Sequence, residues 1–175
     1  MTMPGDLHQQ LVRLGASWIR RQGFGVVATE ISVTGCREQP DVIAFRQQCS
    51  VIIEAKASRT DFLADSRKPE RNHERTGLGV YRFYICPPNV IAIADLPAGW
   101  GLLHVDGKKV TEVVRPSGNA WPAFGRALPQ FPAWGPFQHQ PNLEAERAVL
   151  FSIARRLSTS APAIRRQLHG IDEAA

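Results

Sequence analysis

The sequence predicts an α/β fold, because helix and strand patterns alternate along its first hundred residues in the order helix, strand, strand, strand, helix, strand. The chain has 175 residues, of which 43% are hydrophobic and 21% are charged. That length and mix suit one folded domain with a sizeable core. No apolar run reaches the roughly 20 residues that a membrane helix needs.

The first element is predicted to be an amphipathic helix over Asp6–Gln22, with Asp6 as its N-cap and Gly23 as its stop. Four apolar side chains recur there at the spacing of one helix face: Leu7, Leu11, Leu14 and Trp18. A first strand is expected in the β-branched run Val26 to Ile31.

A β-hairpin is predicted next, with strands Val42–Phe45 and Val51–Ala55 separated by a short polar turn. Ser58 is expected to cap a second helix, with Asp61 as the acidic residue three positions on. Three further strands are predicted: Tyr81–Cys86, and the two arms of a hairpin, Gly101–Val105 and Lys108–Val114. Asp106-Gly107 is the expected type I′ turn of that hairpin.

The composition changes after residue 115, which divides the chain into a core over 1–115, a segment over 116–141 and a helical appendage over 142–175. Six of the thirteen prolines and five aromatic residues lie in the middle segment. Its aromatic residues predict that it packs on the core. Asn142 is expected to cap a helix through about Leu157. Four apolar residues lie on one side of that helix: Leu143, Leu150, Ile153 and Leu157.

The net charge indicates the kind of binding partner, and the cysteine content indicates the cellular compartment. Lys and Arg number 21 against 16 Asp and Glu, a net charge of +5 that favours a polyanionic partner. The three cysteines form no CxxC pair and the N-terminus carries no secretory signal pattern. A reduced, cytoplasmic setting is therefore expected, with no membrane contact.

Two carboxylates and a lysine are expected to meet at the end of the first hairpin. Glu54 and Lys56 are two residues apart, so they share one face of the strand, whereas Ala55 points away. If the register pairs Asp41 with Glu54, all three charged side chains converge on one patch. Such a patch suits Mg²⁺, which prefers oxygen ligands and commonly sits on one or two carboxylates. The alternative is a surface hairpin with a cross-strand salt bridge of little energetic value.

These residues resemble a known superfamily. Pro40-Asp41, a thirteen-residue step and Glu54-Ala55-Lys56 look like the motif of the PD-(D/E)XK nucleases. The continuation EAKASRTDFLAD, which starts at Glu54, is similar to the MmcB-like DNA-repair branch. The resemblance covers roughly residues 7 to 105. It implies a restriction-endonuclease-like core, in which a mixed central sheet is flanked by helices.

The resemblance also implies an activity: a Mg²⁺-dependent DNA nuclease that hydrolyses phosphodiester bonds in DNA repair, recombination or anti-phage defence. Asp41 and Glu54 then bind Mg²⁺, with Mn²⁺ as an expected substitute. The carbonyl of Ala55 is a further metal ligand, and Lys56 acts as catalytic base or stabiliser. Many members add a glutamate from the first helix, which here offers only glutamines. Glu30, at the end of the first strand, is the expected replacement.

Basic residues after the motif are candidates for contact with the DNA backbone: Arg59, Arg67, Lys68, Arg71 and Arg75. A solvated, charged loop is the alternative for most of them. DNA is the expected partner, and both a homodimer and a partner protein remain open. A catalytically silent DNA-binding or scaffold module on the same fold is the competing function.

Overall fold

The computed structural model describes residues 4–33, 38–66, 76–126 and 129–160 of the chain. The protein is an α/β structure in which helices flank one six-stranded mixed sheet. The helices are α1 (Pro4–Arg21), α2 (Arg59–Ser66) and α3 (Leu143–Ser160). The strands are β1 (Val26–Thr29), β2 (Val42–Phe45), β3 (Ser50–Ala55), β4 (Tyr81–Cys86), β5 (Trp100–Asp106) and β6 (Lys109–Val114).

The strands follow one another across the sheet in chain order from β1 to β6. The pairs β1–β2, β2–β3 and β5–β6 are antiparallel, whereas β3–β4 and β4–β5 are parallel. Every residue of β3 and β4 is buried. A strand covered on both faces needs apolar residues at successive positions, which explains why these two strands do not alternate polar and apolar residues.

Two apolar cores lie on opposite faces of the sheet. The α1 core includes Leu11 and Ile19 from the helix and Ile53 from β3. Trp121 and Trp134 of the proline-rich segment are also buried in this core, with 0% and 2% of their surfaces exposed. The opposite core contains side chains from α2, α3 and the sheet, among them Phe62, Tyr84 and Val149.

The first hairpin is confirmed, but the element before it is shorter than expected. β1 ends at Thr29 and not at Ile31, because Glu30 adopts a φ of +49°, which is incompatible with a continuing strand. The helix α1 begins at Pro4, so Asp6 lies in its first turn and is not its N-cap. Proline is well suited to a first helical turn, where its missing N–H costs nothing.

The second hairpin turns one residue later than predicted. Asp106 pairs with Lys109, so the two loop residues are Gly107 and Lys108. Gly107 has a φ of +59°, whereas Lys108 is not among the described residues with positive φ. Glycine at the first of two loop positions is typical of a type II′ turn, and the type I′ prediction is wrong.

The predicted N-caps of α2 and α3 are confirmed. The N–H of Asp61 donates to the Ser58 hydroxyl at 3.2 Å, and the N–H of Ala145 donates to the Asn142 side-chain oxygen at 3.0 Å.

The predicted apolar side of α3 does not face the core as a whole. Its leucines are exposed to solvent, and the buried positions of α3 are Glu146, Val149 and Ser152. The sequence also predicts a loop over Arg67 to Gly79 and a short basic helix around Ile164 to His169. Most of the former and all of the latter lie outside the described residues.

Candidate metal and catalytic site

The β2–β3 hairpin brings the predicted charged residues to one end of the sheet. Its register pairs Val42 with Ile53, so one further step along both strands places Asp41 opposite Glu54. A hydrogen bond holds Asp41 there, because the backbone N–H of Ala55 donates to Asp41 Oδ2 at 2.8 Å. The register assumed from the sequence is therefore the register of the fold.

Strand alternation separates the charged residues from the α1 core. Ile53 and Ala55 contribute to that core, whereas Ile52 faces the opposite one. Glu54 is two residues after Ile52 and so belongs to the second face. The ladder continues beyond β3, since the N–H of Lys56 donates to the carbonyl of Ile85 at 2.9 Å. Lys56 consequently keeps the alternation and lies beside Glu54.

Lys56 is buried between two acidic side chains. Its Nζ lies 3.2 Å from Glu54 Oε2 and 3.3 Å from Asp65 Oδ1. The side chain of Lys56 is 9% exposed, that of Glu54 4% and that of Asp65 3%. Charges removed from water to this degree need close partners, because the desolvation of each ion costs several kcal/mol. The cluster is therefore a built feature of the interior and not a surface salt bridge.

Asp65 is a site residue that the sequence analysis missed. It lies on α2 and is held from the sheet by the hydroxyl of Tyr84, which donates to Asp65 Oδ2 at 3.0 Å. The ring of Tyr84 is itself fixed by stacking on Trp100 at 4.4 Å between centroids. The sequence spacing could have indicated this residue. Asp65 follows Phe62 by three residues, so its carboxylate shares a face of the short helix α2 with a buried aromatic side chain.

Asp41 is the more accessible carboxylate, with 19% of its side chain exposed. Besides Ala55, it contacts His8 of α1, whose Nε2 lies 3.4 Å from Asp41 Oδ1. Nothing in the spacing of His8 indicated this contact, because the helix and the hairpin meet only in the tertiary structure.

Glu30 lies beside Asp41 through its backbone. The N–H of Glu30 donates to the Asp41 carbonyl at 3.0 Å. Its side chain is directed toward α1, where Gln9 Nε2 donates to Glu30 Oε1 at 2.7 Å. A positive φ at a residue other than glycine costs of order 1 kcal/mol and is often found at functional sites. The bend places Glu30 at the end of the sheet where Asp41 lies, within hydrogen-bond distance of Gln9 on α1.

The basic candidates have a more limited connection with this site. Arg59 is exposed and forms an ion pair with Asp95 at 2.6 Å between Nη1 and Oδ2. The hydrogen bond from Arg59 lowers the pKa of Asp95, and the same bond raises the pKa of Arg59. The remaining candidates, Arg67, Lys68, Arg71 and Arg75, lie outside the described residues.

The described carboxylates do not form a ready-made metal cage. Within residues 4–33, 38–66, 76–126 and 129–160, no group of three or more His, Cys, Asp and Glu residues is placed to hold a metal ion. Mg²⁺ does not require one, because it usually keeps several waters and binds through one or two carboxylates. Two carboxylates, those of Glu54 and Asp65, lie within 3.3 Å of the Lys56 ammonium. Asp41, at the end of the same hairpin, contacts the Ala55 N–H and His8 instead.

Comparisons with known proteins identify the fold alone. No protein-family model and no curated protein matches the chain. Among solved structures, the chain is similar to the SPO1766 protein of unknown function from Silicibacter pomeroyi, with 22% sequence identity and a TM-score of 0.57. The match covers 91% of each chain. In the described part of the chain, no helix has the length and apolar character to cross a membrane.

Proposed function

We propose that the protein is a Mg²⁺-dependent DNA nuclease with a restriction-endonuclease-like core. One observation carries the proposal: Asp41, Glu54 and Lys56 meet at the end of two adjacent strands, with the lysine buried against carboxylates. This is the arrangement that the PD-(D/E)XK resemblance requires. The net charge of +5 is consistent with a polyanionic substrate. DNA repair, recombination and anti-phage defence are the settings that the resemblance suggests.

In this proposal each residue has a distinct task. Asp41 and Glu54 hold Mg²⁺ or Mn²⁺ together with the carbonyl of Ala55, and Glu30 lies at the edge of the same site. A metal bound there supplies Lewis-acid stabilisation of phosphoryl charge and a water of lowered pKa. Lys56 orients the attacking water or stabilises the developing charge, because its ammonium is held between two carboxylates. Asp65 keeps that ammonium in place.

A silent DNA-binding or scaffold module is the second candidate function. The observation that favours it is the same buried cluster, since the ammonium of Lys56 is already paired with two protein carboxylates, Glu54 and Asp65. Buried ion pairs are retained in some proteins for structural specificity and not for chemistry. The two candidates differ in one measurable property, which is metal-dependent cleavage.

The test is nicking of supercoiled plasmid DNA by the full chain with Mg²⁺, with Mn²⁺ and with EDTA. We expect cleavage with either metal and none with EDTA. Lys56→Ala should abolish cleavage and leave affinity for a labelled DNA duplex within about twofold, because Lys56 is one buried charge among 21 basic residues. Lys109→Ala is the matched control, since Lys109 is an exposed lysine on β6, away from the cluster.

The outcomes separate the two functions. DNA binding without cleavage under any metal condition supports the silent module and contradicts the nuclease. Equal loss of binding and cleavage in a Lys56→Ala protein that circular dichroism shows to be folded would mean that Lys56 supplies affinity and has no catalytic part. Absence of both binding and cleavage would reject DNA as the substrate.

A further inference from the structure

A cavity of about 480 Å³ lies against β5 and β6, beyond the residues assigned so far to the candidate site. Its lining comes from the start of α2, from the segment that follows β4 and from the last two strands. It includes Arg59, Ile91, Ile93, Asp95, His104 and Val113. The volume lies within the range of cavities that hold small organic ligands in proteins.

The sheet places this cavity on the same face as the Lys56 cluster. Lys56 continues the β3–β4 ladder, and the registers of the two parallel pairs put it level with Cys86 and then with His104. Two strand spacings separate Lys56 from His104, which is about 10 Å across the sheet. Leu102 faces the core on the α2 side, and His104 shares its face because it follows by two residues.

The ring of His104 has a nitrogen that the described residues do not satisfy. His104 Nε2 is buried, and within the part of the chain that the structure describes it has no hydrogen-bond partner. Buried polar atoms in folded proteins are nearly always paired, so such an atom beside a cavity indicates a ligand that supplies the partner. A neutral imidazole has one donor and one acceptor nitrogen, and the edge of a nucleobase offers groups of both kinds.

Apolar side chains complete the lining. Ile91 is buried, whereas Ile93 is 61% exposed on a single 3₁₀ turn over Ile93–Asp95. Together with Val113 of β6 they give the cavity an apolar surface with few polar groups, which is the usual composition of a small-ligand site. A nucleobase matches this composition, because its faces are apolar and its edge is polar.

Arg59 connects the cavity with the Lys56 cluster. It is the first residue of α2, the helix that also carries Asp65, and Asp65 pairs with Lys56. The guanidinium of Arg59 is held by Asp95 and lies 5.6 Å from the centre of the Phe62 ring. Its side chain is still 45% exposed, so a phosphate oxygen can reach it. Arginine at such a position commonly contacts the DNA backbone and fixes the register of the strand.

We propose that this cavity holds an unpaired nucleobase of the DNA strand whose neighbouring phosphate lies at the Lys56 cluster. For the identity of its ligand the proposal rests on the proposed function, and it narrows the substrate to DNA with single-stranded or extruded bases. His104 bonds the edge of the base, Ile91 and Ile93 contact its faces, and Arg59 contacts the adjacent phosphate. A base in a duplex must first leave its stack, which costs free energy that a single strand does not pay.

Fluorescence anisotropy of the full chain in EDTA measures binding without cleavage. The probes are a labelled single strand of about 12 nucleotides and the matching duplex, both at one salt concentration. His104→Ala should weaken binding of the strand about tenfold and leave binding of the duplex within about twofold. His104→Gln should restore most of the affinity, because its amide keeps a donor and an acceptor. Thr111→Ala is the matched control, since Thr111 pairs with His104 on β6 and does not line the cavity.

Ile93→Ser keeps the test independent of folding, because most of this side chain is in solvent. It should weaken binding of the strand about fivefold. An unchanged ratio of strand to duplex affinity in both His104→Ala and Ile93→Ser overturns the proposal, even where plasmid DNA is nicked. A lowered ratio without any nicking retains the base site and removes the nuclease.

Free nucleotides distinguish a site for a strand from a site for a small molecule. Isothermal titration calorimetry with dAMP and with TMP should give dissociation constants above about 1 mM, because a single nucleotide lacks the contacts of the rest of the strand. Micromolar binding of either nucleotide, with no measurable binding of the single strand, would assign the cavity to a free nucleotide and overturn the proposal.

Discussion

Divalent metal should stabilise the wild-type protein, and Asp41→Asn should remove that stabilisation. A ligand that binds only the folded state adds about 2.7 kcal/mol at a hundredfold excess over its dissociation constant. For a chain of 175 residues, each kcal/mol raises the melting temperature by about 2–4 °C. Thermal melts of the wild type with saturating Mg²⁺ should therefore lie about 5–10 °C above melts with EDTA.

The two carboxylates should differ when the metal is absent. Asn at position 41 keeps an oxygen for the Ala55 N–H, so Asp41→Asn in EDTA should change the free energy of unfolding by under about 0.5 kcal/mol. Glu54→Gln removes one of the two charges around Lys56 but leaves Asp65 in place. Its cost should be about 1–2 kcal/mol, below the roughly 3–5 kcal/mol expected when a buried ion loses its last partner.

Urea unfolding in EDTA and melts with Mg²⁺ measure both quantities on the same three proteins. If Asp41→Asn and Glu54→Gln respond to Mg²⁺ as the wild type does, the carboxylates at the hairpin end do not hold the metal. A wild type that shows no response to Mg²⁺ up to about 20 mM, roughly twentyfold above the dissociation constant of about 1 mM of a weak protein site, leads to the same conclusion. In either case the cluster around Lys56 is a structural ion network.

Three further predictions follow from burial and charge. Burial raises the pKa of Glu146 above its ordinary 4.5, so the folded state binds this proton more tightly than the unfolded state does. The free energy of unfolding should therefore fall as the pH rises from 4.5 to the raised pKa. In urea titrations from pH 4 to 8, Glu146→Gln should flatten this dependence on pH, and an unchanged dependence would contradict the prediction. Trp121→Ala should lower the free energy of unfolding by about 3–5 kcal/mol in chemical denaturation, because Trp121 is fully buried among aromatic rings. A loss under about 1 kcal/mol would mean that Trp121 does not anchor the proline-rich segment. DNA affinity should fall at least about tenfold between 50 and 200 mM salt in fluorescence anisotropy, and a salt-independent affinity would exclude backbone recognition.

Local pattern determined the elements and much of the candidate site. Strand alternation put Glu54 and Lys56 on one face, and the register assumed for the hairpin, with Asp41 opposite Glu54, is the one that the fold adopts. The caps at Ser58 and Asn142 are local in the same sense, since each side chain bonds a backbone N–H three residues on. The second turn lies one residue later than predicted, which also changes its type, because Gly107 now occupies the first loop position.

Contacts between distant segments could be decided only by the tertiary structure. Asp65 meets Lys56 because α2 packs its buried face on the sheet, and His8 meets Asp41 because α1 crosses the other side of the hairpin. The side of α3 that faces the core was undetermined for the same reason. Both sides of that helix carry apolar residues, and the sheet selects the one with Val149 because it fits beside Phe62 and Tyr84. Periodicity reports which residues share a face, and packing against the rest of the chain decides where that face points.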